Sequence, residues 1–169
     1  GDRTGAQSLI SVTYAGVGLR RVNDITLDFD TARIWYMLEP ARGSNTAAVT
    51  YSGTMSGITI HPISFVGVDK NNPVPNSATK SRSVDADMSI TLFATESNSV
   101  IFDISYYDKD RSITANSGQT VRGRITESGE GSRRGISTRT ITSPASTTSG
   151  WFDDSAGTGD WTGVIVEVK

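Results

Sequence analysis

The chain holds 169 residues, 36% of them hydrophobic and 20% charged, with a net charge of −2 and no cysteine. That length suits one domain with a sizeable core, and the charge excludes the positive excess that general binding to nucleic acid or anionic membrane requires. Disulfides and thiolate metal sites are excluded outright, and no apolar run approaches the ~20 residues of a helical membrane span.

Apolar residues recur with a period of two almost everywhere, and nowhere with the three-and-four spacing of a helix. Residues 10–14 (Ile-Ser-Val-Thr-Tyr) read as a strand turned by Ala15-Gly16, with residues 17–22 continuing or pairing with it. Residues 33–38 form the next strand, stopped by Pro40, and residues 46–52 another. Residues 58–68 read as a strand with a bulge at Pro62, and the polar residues 69–83 as a loop. Residues 88–94 alternate, with Met88, Ile90 and Leu92 inward. Residues 100–106 form the most apolar strand. Residues 120–126 and 135–142 make a polar, Arg-rich pair, and the Ser/Thr/Gly run 143–150 a loop. Residues 161–169 close the chain with Val164, Val166 and Val168 on one face. About ten short strands at close spacing predict an all-β, two-sheet antiparallel sandwich of jelly-roll type, spanning residues 1–169 as one domain.

Five segments resemble, in the same order, a recurrent β-sandwich domain of secreted bacterial and archaeal proteins, lectin-like or jelly-roll in layout. They are Ser11-Val12-Thr13-Tyr14-Ala15-Gly16-Val17-Gly18-Leu19, then Ile34-Trp35-Tyr36-Met37-Leu38-Glu39-Pro40, Ile63-Ser64-Phe65-Val66-Gly67-Val68-Asp69 with Pro73, Gly118-Gln119-Thr120, and Asp160-Trp161-Thr162-Gly163-Val164-Ile165-Val166. The resemblance implies an extracellular or cell-surface location and carries no catalytic signature. In such domains an apolar strand precedes the Ser-Val-Thr-Tyr segment and lies near the C-terminal strand. Here only residues 1–9 precede it, and Gly1 in place of Met reads as a processed or trimmed end.

A missing first strand would leave a groove beside the C-terminal strand, walled by Val164, Val166 and Val168, and open to strand addition. The expected donor is Leu9, Ile10, Val12 and Tyr14 of a neighbouring copy. The favoured function is therefore a non-enzymatic structural subunit of a filament, pilus-like fibre or surface layer. Arg122, Arg124, Arg133 and Arg134 would meet Asp28 and Asp30 of the next subunit.

The alternative is a carbohydrate-binding module, with Trp151 in a Gly-rich loop and Tyr107 as sugar platforms. A glycosidase is a weaker alternative, with Glu39, Glu96, Asp103 and Glu127 as candidate carboxylates. His61, the single histidine, has no nucleophile elbow to serve and reads as a strand residue satisfied by a neighbour. No cofactor is required. Asp28 and Asp30, and Asp108 and Asp110, have the loop setting that calcium accepts, without EF-hand spacing.

Overall fold

The computed structural model describes residues 9–27, 30–53, 58–127 and 131–169. The fold is all-β, with every strand pair antiparallel. In chain order the strands are β1 (Leu9–Tyr14), β2 (Val17–Gly18), β3 (Arg20–Leu27), β4 (Asp30–Tyr36), β5 (Ala47–Tyr51), β6 (Asn76–Asp85) and β7 (Asp87–Ala94). They continue with β8 (Ser99–Tyr107), β9 (Ile113–Ala115), β10 (Thr120–Glu127), β11 (Ser132–Ile141), β12 (Ala145–Asp153) and β13 (Gly159–Val168). Among the described residues no helix is long and apolar enough to cross a membrane.

A five-stranded sheet in the order β10-β11-β8-β13-β6 forms the middle of the molecule. Of its three inner strands, β8 and β13 are buried on both faces, so their sequences read as apolar runs broken by a few placed polar residues. Odd positions of both strands face the sheet β7-β12-β9. There Ile101, Tyr107, Trp161 and Ile165 pack with Met88, Ile90, Leu92, Ile113 and Trp151. Tyr107 lies opposite Trp161 in the ladder, and their rings stack at 4.1 Å. Even positions face the hairpin β3-β4 and the irregular segment 58–74. There Phe102, Val164 and Val166 meet Ala32, Ile34, Ile63, Phe65 and Val74. Each fully buried aliphatic side chain contributes roughly 1.5–3 kcal/mol relative to exposure. The sandwich read from the sequence is present, and the β3-β4 hairpin adds a cover on its second face.

The C-terminal strand has no vacant neighbour. Thr162 to Glu167 of β13 pair with Asn76 to Ser81 of β6 on one side and with Tyr106 to Ile101 of β8 on the other. The expected groove at Val164, Val166 and Val168 is thus filled from within the chain. Its occupant is β6, a Ser/Lys/Arg-rich stretch that reads as a loop in the sequence. Val164 and Val166 are fully buried under the β3-β4 hairpin, and Val168 packs against the same core. Residues 58–68, read as a strand, are irregular and contribute Ile63 and Phe65 to that core instead. Residues 145–153, mostly read as a loop, form the middle strand β12.

The remaining strands form a separate small sheet, β2-β1-β5, which pairs with no other described strand. Ala15 and Gly16, both at positive φ, make the hairpin turn between β1 and β2. Of the expected donor residues, Leu9, Val12 and Tyr14 are therefore already paired with Tyr51, Val49 and Ala47 of their own chain, and Ile10 lies at the irregularity between Leu9 and Ser11.

Candidate functional site

The residues the sequence marks for chemistry are mostly consumed in holding the fold. Trp151 and Tyr107, the expected sugar platforms, are both 0% exposed. The indole of Trp151 lies flat on Gly135 of β11, where a Cβ would stand 2.3 Å from the ring. Arg124 covers it, 5.9 Å from the ring centroid. Tyr107 donates its hydroxyl to Asp153 Oδ2 at 2.7 Å. Burial and that carboxylate push the phenol well above its ordinary range.

The glycosidase carboxylates are likewise occupied. Asp103 is buried at the centre of a polar node. Its Oδ1 accepts from Trp151 Nε1 at 2.8 Å. Its Oδ2 accepts from Ser149 Oγ at 2.7 Å, Gln119 Nε2 at 3.2 Å and the Ser137 hydroxyl. Burial still raises its carboxyl above the usual range, against those donors. Glu39 is exposed and paired with Lys70. Glu96 pairs with Lys169 at 3.2 Å. The Glu127 side chain lies outside the described residues.

Sequence reasoning missed Glu167, a fully buried carboxylate at the end of β13. Its Oε1 accepts from Glu96 N at 2.9 Å and Ser99 Oγ at 2.8 Å, and its Oε2 from Thr95 N at 2.9 Å and Thr95 Oγ1 at 3.0 Å. Burial acts to raise this acid, but the donors of the β7-β8 turn outweigh it and hold the carboxyl below its ordinary range. The signal available was an acid flanked by valines in Val164-Ile165-Val166-Glu167-Val168.

The arginines do not form one face. Arg133 reaches Asp110 Oδ1 at 2.6 Å and the Arg111 carbonyl at 3.0 Å. Arg134 is buried with its guanidinium 5.1 Å from the Tyr106 ring centroid. Arg124 covers Trp151, and Arg122 points to the opposite side of the sheet toward Thr138. Asp28 lies outside the described residues, and so does the side chain of Asp30. As for calcium, Asp108 accepts from Asp160 N at 2.7 Å and pairs with Lys109 at 2.8 Å, and Asp110 is held by Arg133. Among the described residues no three acidic or histidine side chains gather to hold a metal.

Two surfaces remain open. The first is the β2-β1-β5 sheet. It presents Ile10, Val12, Tyr14, Val17, Val49 and Tyr51, and not one of these is buried; Ile10 and Val17 are 61% and 60% exposed. Residues 9–18 and 47–51 contain no charged side chain. The second is a cleft of about 370 Å³ between the 58–74 segment and the central sheet, lined in part by His61, Ser64, Phe65, Arg122, Thr138 and Thr140.

No family model matches the chain, and no curated protein matches it. Among solved structures, the tripod (BppUct-A-L) from the baseplate of bacteriophage Tuc2009 is similar at 12% identity and a TM-score of 0.36, over 79% of this chain and 83% of that one. A likeness so distant carries no argument about what this chain does.

Proposed function

We propose that this protein is a non-catalytic structural subunit that joins copies of itself by strand pairing along the edge of β5 at which no described strand pairs. The observation that carries the reading is the contrast between its sheet edges. Exposed edges template association with other chains, and folded proteins blunt them with charge, bulges or short length. At the ends of the central sheet, β6 carries Lys80, Arg82 and Asp85, and β10 carries Arg122 and Arg124 with a bulge between Val121 and Gly123. The strands β3, β4 and β7 each hold charged residues, and β2 and β9 are very short. Among the described strands β5, Ala47-Ala48-Val49-Thr50-Tyr51, has none of these devices, and residues 10–18 and 47–51 of its sheet include no buried side chain. A three-stranded sheet without an apolar cover is marginal in water, so a second copy would supply both pairing and burial. Two β5 strands related by a two-fold axis would form one continuous six-stranded sheet.

The ladder geometry supplies a test. Leu19 N donates to Val12 O at 2.9 Å, so the backbone groups of Val12 face β2. Val49 lies opposite Val12, and antiparallel alternation therefore aims its N–H away from β1, toward the other edge. Val49→Pro removes that donor while sparing the bonds to β1. The wild-type protein is expected to form dimers or larger assemblies by light scattering, and Val49→Pro and Thr50→Lys to stay monomeric with an unchanged far-ultraviolet dichroism spectrum. A wild-type chain that is monomeric at all accessible concentrations sinks the proposal, as does full assembly of both variants.

A further inference from the structure

We infer that the cleft beside Arg122 is a binding site for an anionic, hydroxyl-bearing ligand of monosaccharide size, such as a carboxylated or phosphorylated sugar unit. The site is independent of β5. Its construction begins with the bulge in β10, where the register shifts between Val121 and Gly123 and turns Arg122 to the side of the sheet that carries Thr138 and Thr140. Arg122 Nε donates to Thr138 Oγ1 at 2.8 Å, which orients the guanidinium and commits only one of its five donors. Thr138 is itself 4% exposed, so this anchor is rigid. Among the described residues the two Nη groups meet no acceptor, and no carboxylate lines the cleft.

The rest of the lining suits a sugar. The His61 ring lies on Gly123, where a Cβ would stand 2.8 Å from Cε1, so the glycine makes room for the imidazole. Ser64 and Thr140 are exposed and add hydroxyls that can both donate and accept. Phe65, held edge-on to Phe102 with centroids 6.1 Å apart, gives the cleft an apolar wall. An oxyanion would sit on the guanidinium fork, where paired charge-assisted bonds form. The ligand's hydroxyls would meet His61, Ser64 and Thr140. A cleft of about 370 Å³ is ample for one such ring.

His61 is the sole histidine, so its imidazole carbon-bound protons give a unique nuclear magnetic resonance signal inside the cleft. The test titrates the protein with glucuronate, glucose 6-phosphate, glucose and inorganic phosphate. A saturable shift of the His61 signal with glucuronate or glucose 6-phosphate is expected, the stronger of the two identifying the oxyanion, with glucose and phosphate alone at least about tenfold weaker. Arg122→Gln should weaken the anionic sugars at least about tenfold, and Arg122→Lys by an intermediate factor, because it keeps the charge but loses the fork. The unshifted His61 signal of each free variant reports that the cleft is intact. No saturable shift with either anionic sugar overturns the inference. So does equal binding of glucose, equal binding of phosphate alone, or undiminished binding by Arg122→Gln.

Discussion

Glu167→Gln tests how the end of the sandwich is held. In the native protein the two carboxylate oxygens accept four hydrogen bonds from the β7-β8 turn, two of them from the backbone N–H groups of Thr95 and Glu96. An amide keeps one acceptor oxygen. Its NH2 must then face either Thr95 N or Glu96 N, and a backbone N–H cannot turn away as a hydroxyl can. One charge-assisted bond of about 1.5–3 kcal/mol is lost, one half-buried N–H is left opposed, and the surviving bonds weaken. The expected loss is about 3–4 kcal/mol at neutral pH, measured by guanidinium unfolding.

The sign of its pH dependence follows from the depressed acidity. The folded carboxyl titrates below its ordinary 4.5, so its stabilisation is complete above that value and is lost as pH falls through the folded value. The wild-type advantage over Glu167→Gln should therefore shrink steadily in acid. A loss below about 1 kcal/mol at neutral pH, or a difference that stays constant in acid, would refute the assignment of Glu167 as the clamp of this turn.

Asp103 should behave in the opposite way, because three of its donors are side chains that can rearrange. Asp103→Asn is expected to cost less than about 1 kcal/mol, since the Ser137 and Ser149 hydroxyls can rotate to accept from the new amide; Asp103→Ala, which strands the Trp151 N–H and both hydroxyls, should cost about 3 kcal/mol by the same unfolding assay. Burial raises Asp103, so its contribution runs against that of Glu167: it favours folding below the ordinary 3.8 and fades as pH climbs to the folded value. Asparagine should abolish that slope. Gly135→Ala places a methyl 2.3 Å from the Trp151 ring. A loss of about 1–3 kcal/mol and a shifted Trp fluorescence maximum are expected, and unchanged values of both would contradict the packing.

How far the sequence announces this structure depends on what each strand packs against. In β7, Met88, Ile90 and Leu92 alternate with Ser89, Thr91 and Phe93 because one face is buried and the other wet, and the period of two is plain. In β8 and β13 both faces are covered, so the apolar run shows the strand but hides what Asp103 and Glu167 do, since their partners lie far off in the sequence: on β11 and β12 and at Gln119 for Asp103, at the β7-β8 turn for Glu167. The strand β6 is invisible because it is an edge whose side chains are mostly Ser, Thr, Lys and Arg; Lys80 reaches the Ser89 carbonyl and Asn76 the Phe93 carbonyl. It occupies the place beside β13 that the resemblance leaves open for a missing first strand. The strand β12 is disguised by small residues, and Ser149 donates to Asp103 from within it. Trp151 reads as exposed because Ser149 and Gly150 precede it, yet Gly135 on the neighbouring sheet leaves the space the indole fills in the core. The Arg122 cleft was legible only as an arginine in a polar strand, since the bulge that aims it is a property of pairing.

The order in which this chain can fold follows from its innermost pair. Ile104 of β8 pairs with Val164 of β13, and β13 pairs in turn with β6. These partners lie far apart in the sequence, so the loop-closure entropy of the central sheet is expended before either core rewards it. Until β13 has been synthesised, β6 and β8 lack the strand that separates them, and Ile101 and Phe102 lack its side of the ladder. Refolding should therefore be slow, in the millisecond-to-second range of proteins built from non-local pairings.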